Sequence, residues 1–453
     1  MGSPGNAQRL PESPGLMFLI AVQWFVFILA SVITVPVVLG PALGLGREAT
    51  AAFTDRTLFV SGLVGLAQAW WGHRYPVVEG PAGMWWGVFL VLIQITRDTG
   101  ESLGQLRPEL EFGLISAGAL YVLLALLNWI DAIRKLFTPA VTGVFMTLLS
   151  LQLADSLLKG ILGIGNRGGS TINPPIALVS LLLVVLTVTL LNKGRGIVRN
   201  LAVLIALLTG WVAFALLGWG NPMSENHQFL ALPQIFPYGI PQPQWGVMIT
   251  ALFTAIVLLS NLISSVYVMG RTVHTQPQAK QFRRTAFVSG VGTALAGVFG
   301  VLGNVPLATS ASFVQLSGIA TRLPFQLANG LLIVISLFPF AGKFFATLPE
   351  PVGYAVLFTV FGQLLGFGLK DFQSMRLDQR DLFVISLSIM SGVGIFFISP
   401  QSWVRLPSVV GYLLDNGLMV GVSLVLILEH LVFRRVTPVT VDDMRVNEHT
   451  EEI

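Results

Sequence analysis

The residues from 75 to 87 read YPVVEGPAGMWWG, and Glu79 among them is an acidic group inside a stretch otherwise apolar enough to enter a membrane. A carboxylate there is expensive to keep ionised, of order 2.5–3.5 kcal/mol on insertion scales, so it is expected to serve a purpose. It is the natural carrier of a coupling proton or a partner for a coupling cation; the bland alternative is an interfacial pair with His73 or Arg74. A second stretch, residues 303–322, reads GNVPLATSASFVQLSGIATR and places Thr309, Ser310 and Ser312 beside Ala311 and Phe313. A third, residues 260–271, reads SNLISSVYVMGR and offers Asn261, Ser264 and Ser265. An amide that donates and accepts, a few hydroxyls and nearby rings can form part of a binding site without any covalent step. Asn261 has a bland alternative as polar glue between helices, and the serines as small packing residues.

Such groups need elements that bring them into the membrane. Of 453 residues, 54% are hydrophobic and 11% charged, with mean hydropathy +0.77. Soluble domains carry about 25% charged residues, so the chain is an all-α polytopic membrane protein. Cysteine is absent, which excludes disulfides and cysteine-ligated metals. No H-E-x-x-H, G-x-x-x-x-G-K-[ST] or strand–helix G-x-S-x-G motif occurs, so neither an enzyme nor an ATP-driven pump is expected. No metal site or organic cofactor is expected either, and no basic stripe suggests nucleic acid.

At about 20 residues per crossing, fourteen segments are expected. They fall near 17–39, 52–71, 77–96, 112–130, 138–157, 174–192, 198–219, 246–269, 284–302, 304–320, 324–346, 351–368, 381–399 and 407–433. A tail (1–15) precedes them, a Pro-rich linker (220–245) separates repeats 16–219 and 246–434, and a second tail (435–453) follows. With both termini inside, 18 of the 26 Lys and Arg lie on the inner side, as a plasma-membrane protein with cytoplasmic termini requires. Seven crossings per half would make the second half upside down relative to the first. Sequence echoes support this: TLFVSGLVG from Thr57 matches TAFVSGVG from Thr285, and Pro139–Gln152 parallels Pro351–Gln363. Gln363 is accordingly read as structural, Trp86 as bulk against lipid, and Asp155 and Lys159 as interfacial.

The repeat pairs segment three with segment ten, and these are the two broken stretches. Pro81 and Pro306 lack an N–H, so such backbone is expected only where protein or a wet cavity surrounds it. Each break is expected to lead into a half-helix whose free backbone donors face a shared site. That site is expected to hold Gly83, Met84, Trp85, Thr309, Ser310, Ala311, Ser312 and Phe313, and a family resemblance adds Asn261, Ser264 and Ser265 from segment eight. Trp24, Trp85 and Phe313 are the stacking candidates, and Glu79 is the coupling candidate.

The chain resembles the nucleobase–cation symporter-2 (nucleobase–ascorbate transporter) family, which includes uracil and xanthine permeases. The resemblance spans all segments. It rests on Gln23 and Val35-Pro36, on EGPAGMWWG (79–87), LFTPAVTGVFM (136–146) and SNLISSVYVMGR (260–271), and on Thr321-Arg322. Within the family the chain looks most like a divergent purine-permease branch. The resemblance implies fourteen segments in two inverted repeats, with short antiparallel strands in segments three and ten. It also implies a core domain (segments 1–4 and 8–11), a gate domain (5–7 and 12–14), an elevator-like motion and a homodimer through the gates. It implies import of a nucleobase coupled to H+ or Na+. The family's usual carboxylates fall on Asn261 and Phe313 here, its usual histidine on Trp24, and a further polar position on Ser265. A sulfate- or bicarbonate-type anion transporter of similar fold is the second reading.

Overall fold

The computed structural model describes residues 14–130, 136, 138–164, 171–195, 197–200, 202–220, 229–317, 320–375, 377–398, 402, 414 and 416–433, with the backbone alone at 197, 200, 260, 312, 316 and 317. Residues 1–13, most of the expected fourteenth segment before Asn416, the linker residues 221–228 and the tail 435–453 lie outside that description.

Two short strands sit at the centre. Strand β1 (Glu79–Pro81) pairs antiparallel with β2 (Asn304–Pro306), with Glu79 opposite Pro306, Gly80 opposite Val305 and Pro81 opposite Asn304. The Leu307 N–H donates to the Val78 carbonyl at 2.9 Å, and the Ala82 N–H to that of Gly303 at 3.3 Å. Both strands are wholly buried, so this backbone is satisfied by protein and not by solvent. Each strand ends in a proline and leads into a helix, α4 (Gly83–Asp98) from β1 and α12 (Thr309–Ser317) from β2.

The first half otherwise comprises α1 (Pro14–Val32), α2 (Thr34–Ala42), α3 (Arg47–Trp70), α5 (Leu103–Leu127), α6 (Pro139–Ile161), α7 (Pro174–Lys193), α8 (Ile197–Asn200) and α9 (Ala202–Leu216). The second has α10 (Trp245–Thr272), α11 (Ala279–Val298), α13 (Arg322–Ser336), α14 (Pro339–Phe345), α15 (Glu350–Gln373), α16 (Gln379–Ile395) and α17 (Gly417–Ile427), the last continued by a π-helical turn to Val432. Side-chain caps start several of them. Thr138, Asn173, Gln244 and Asn416 each accept an N–H from three residues on. Pro139 and Pro174 follow two of these caps, where their missing N–H costs nothing. Inside the helices most hydroxyls bond back to the carbonyl four residues earlier, as Thr54, Thr57, Thr96 and Ser150 do, which satisfies them without water.

By length and composition, six helical stretches among the described residues can cross a membrane, and the bent pair α13–α14 would make a seventh. The expected continuous segment 324–346 is instead two helices at 87°. Phe338 is extended (φ −102°, ψ 105°) because the ring of Pro339 disfavours helical backbone just before it.

Packing divides the helices into two groups. In one, α11 lies along α5, α13 along α3, α10 against α5 and α1 against α13, with the strands between. In the other, α15 lies along α6, α7 and α9 pack together beside α15, and α16 and α17 pack together beside α6. Helices α11 and α5 approach closely at Gly290, where an added Cβ would stand 2.8 Å from the Gly118 carbonyl and the Val122 nitrogen. Only glycine permits that spacing. The described end of the linker is tied to the same group of helices. Phe236 N–H donates to the Val298 carbonyl, and the Arg56 and Arg107 guanidiniums lie 5.8 and 5.9 Å from the Tyr238 ring centroid.

Candidate functional site

A cavity of about 550 Å³ lies between the two groups of helices, where the strands give way to α4 and α12. On one side it is lined by Gly83 and Met84 of α4, Val305 and Leu307 around β2, Thr309 of α12, and Asn261 and Ser264 of α10. On the other stand Thr142 and Met146 of α6 and Phe361, Gln363, Leu364, Phe367 and Asp371 of α15. Asn261 and Ser264, three apart on α10, share a face, which is why both reach the cavity. No side chain caps the start of α4, where Ala82 is the N-cap, so the first backbone donors of that helix are left for whatever occupies the cavity. Gly83 sharpens this, since a Cβ there would meet nothing within 4 Å and the backbone borders open space.

The result is a slot with apolar and aromatic walls (Met84, Phe361, Phe367) and a few polar groups (Asn261, Ser264, Thr309, Gln363). Thr142 Oγ1 donates to Asp371 Oδ2 at 2.7 Å and joins α6 to α15 at one end of it. Arginine and lysine are missing from its lining among the described residues. Such a surface suits a flat solute with donor and acceptor edges better than an anion.

Five expected site residues, Gly83, Met84, Asn261, Ser264 and Thr309, are brought together here. The others are placed elsewhere. Trp24 is fully buried and packs on Phe313 (centroids 4.5 Å apart), Phe27 and Phe325, while Phe313 stacks on Phe27. Both rings are spent on joining α1 to α12 and α13, so neither lines the cavity. Trp85 is also fully buried and turns away from it, its indole nitrogen against Gly303, where a Cβ would come within 2.6 Å. Ser265 is buried, because the next residue on a helix points about 100° away from Ser264. Ser310 is a structural pin whose Oγ accepts the Val78 N–H at 2.9 Å. Ala311 is buried in the apolar core, and the Ser312 side chain lies outside the described residues.

Glu79 stands behind the cavity wall. It is buried, with Oε1 3.3 Å from His73 Nε2. His73 Nδ1 accepts the Tyr75 N–H at 3.0 Å, so the ring proton sits on Nε2 and is donated to the carboxylate. Glu79 Oε2 has no hydrogen-bond partner among the described residues.

Sequence reasoning missed the α15 wall. Gln363, read as structural, lines the cavity, and Trp86 is buried against Phe361 (6.1 Å, edge-on) instead of facing lipid. The repeat did contain a signal, since Gln152 and Gln363 match, but nothing in it says which of the two faces a cavity. Asp155 and Lys159 form an exposed ion pair of 2.7 Å.

The fold is similar to those of two solved membrane transporters. The transmembrane domain of a cyanobacterial bicarbonate transporter, BicA, matches with TM-score 0.64 at 17% identity, over 86% of this chain and 98% of that one. The murine anion transporter Slc26a9 in its inward-facing state matches with TM-score 0.62 at 14% identity, over 92% of this chain and 68% of that one. At these identities the likeness concerns the fold alone. The chain belongs to the permease family Xan_ur_permease, whose model matches residues 15–401. It is 34% identical to the Bacillus subtilis (strain 168) protein named "Putative purine permease YwdJ", over 88% of this chain and 92% of that one. It is 24% identical to the uric acid permease PucK and to the xanthine permease of the same organism, over 94% and 89% of this chain and 97% and 90% of theirs. The chain is thus an integral membrane permease and not an enzyme.

Proposed function

We propose that the chain is a secondary transporter that imports a nucleobase, a purine in preference to a pyrimidine, by alternating access coupled to H+ or Na+. The observation that carries this is the composition of the cavity. Two broken segments and α10 offer neutral hydrogen-bonding groups to one edge of a flat ring, while Met84, Phe361 and Phe367 cover apolar surface. The names of the relatives, purine, uric acid and xanthine permeases, point the same way.

The fold is read as fourteen segments in two inverted repeats, with α1–α5 and α10–α14 as the core and α6–α9 and α15–α17 as the gate. The contacts support this because the main helix pairings recur when the halves are exchanged. Segment one packs on eleven as eight does on four, and two packs on eleven as nine does on four. An elevator motion of core against gate would carry Asn261, Ser264, Thr309 and Gly83 past the α15 wall. Glu79, beside His73 and one strand from the cavity, is the coupling group. Both termini are cytoplasmic, the membrane is the plasma membrane, and the chain forms a homodimer through the gates. The exposed apolar face of α7 (Leu178, Leu182, Val185) meets lipid or the second copy.

Bicarbonate or another anion, as carried by the structural neighbours, fits less well. No cationic side chain among the described residues lines the cavity, and Asp371 would repel an anion. The test is uptake of radiolabelled bases by cells expressing the chain, with and without an ionophore. Ionophore-sensitive uptake of a purine base is expected. Failure to take up any base, together with transport of an inorganic anion, refutes the reading.

A further inference from the structure

A second cavity, of about 840 Å³, lies at the end of the bundle where α3 finishes and α13 begins. No carboxylate among the described residues lines it, whereas Arg74 and Arg322 both do. Thr321, also in its wall, is the N-cap residue of the 15-residue helix α13, with extended backbone (φ −72°, ψ 135°). A threonine so placed ordinarily turns its hydroxyl onto the helix's first free N–H groups. Here it makes no such bond: Thr321 is 8% exposed, and its Oγ1 is buried without a hydrogen-bond partner among the described residues. The first turn of α13 therefore keeps its donors at Arg322 and Leu323, and Pro324 has none to offer. Arg74 is held in place from behind, its Nε donating to the Trp70 carbonyl at 3.2 Å and its backbone N–H to that of Gln68 at 3.1 Å. At the rim the Tyr75 and Thr275 hydroxyls meet at 2.8 Å.

We infer that this cavity binds a phosphate-type oxyanion, distinct from the transported base. Two guanidiniums and an uncapped helix start line it, with the unpartnered Thr321 hydroxyl buried in its wall, and together they match a tetrahedral oxyanion in charge and in donor number. A need for positive charge on one side of the membrane explains the presence of arginines at this end. It does not explain a buried threonine that neither caps its helix nor finds another partner. The same phosphate chemistry occurs on soluble phosphate and on an anionic lipid headgroup, and the two sources are separable.

The experiment is thermal unfolding of the purified protein. In detergent, potassium phosphate is titrated against potassium chloride at equal ionic strength. In lipid nanodiscs, phosphatidylglycerol is compared with phosphatidylcholine. A ligand that binds only the folded state raises Tm in a saturable way. A saturable rise with phosphate is expected in the unaltered chain, lost in Arg322→Gln and in Arg74→Gln and reduced in Thr321→Val. Arg322→Lys keeps the charge but not the forked donor pair, and is expected to bind more weakly. A rise confined to phosphatidylglycerol and lost in Arg322→Gln assigns the site to a lipid headgroup. No rise in either medium, or one of equal size in both arginine variants, overturns the inference.

Discussion

Asn261 and Ser264 stand on one face of α10, and Ser265, one residue further, is buried behind them. On the proposed function, Ser264→Ala removes a hydrogen bond to the base and raises KM several-fold, at about 1 kcal/mol per bond. Ser265→Ala leaves KM unchanged, and base uptake measured side by side distinguishes the pair. Trp24 belongs to the aromatic cluster with Phe27, Phe313 and Phe325, so Trp24→Ala is expected to cost about 3–5 kcal/mol of stability. It should lower Tm sharply, with the KM of the folded remainder unaltered. Glu79 carries the proposed coupling, and Glu79→Gln keeps the shape while removing the proton site. Uptake by that variant is expected to lose its response to ionophore while base binding persists; retained ionophore sensitivity would remove Glu79 from the role. The polar types at these positions were legible in the sequence. Which face each occupied was not, because a one-residue step along a helix reverses the answer and tertiary packing decides it.

At the scale of elements, the two places where apolar runs break are where β1 and β2 pair. They were legible because proline and small polar residues cannot be accommodated in lipid-facing helix. The pin between them was not, since Ser310 and Val78 lie far apart in sequence and a serine in a polar run attracts no notice. Ser310→Ala would strand the buried Val78 N–H at about 1–3 kcal/mol, seen as a lower Tm with the remaining hydrogen bonds intact. The turn at Phe338–Pro339 was written in the proline, yet a hydropathy window averages over it and reports one segment. Gly290 is similarly silent in a window and decisive in the packing. Gly290→Ala drives a methyl group to 2.8 Å from the backbone of α5 and is expected to cost about 1–3 kcal/mol in stability.

For the whole molecule, the cavity is shared between two groups of helices, and that is why half of it escaped sequence reasoning. The strands, α4, α12 and α10 announce themselves by irregular or polar sequence. The α15 wall is ordinary apolar helix, and Gln363, Phe367 and Asp371 gain meaning only from what they face. Fold likeness says nothing of the cargo, and on the proposed function the cavity's lining accepts a base; cargo depends on side chains that a shared backbone does not dictate. Because the chain contains no cysteine, a Thr309→Cys, Gln363→Cys pair can be joined across the cavity by a cleavable bifunctional reagent without background. If core and gate must move past one another, joining them abolishes uptake and cleaving the reagent restores it. The most direct test of the central claim is the KM for radiolabelled purine base in cells expressing the unaltered chain and its Asn261→Ala variant at equal surface levels. A rise of roughly tenfold is expected on loss of the paired donor and acceptor. An unchanged KM would contradict it and place the base outside this cavity.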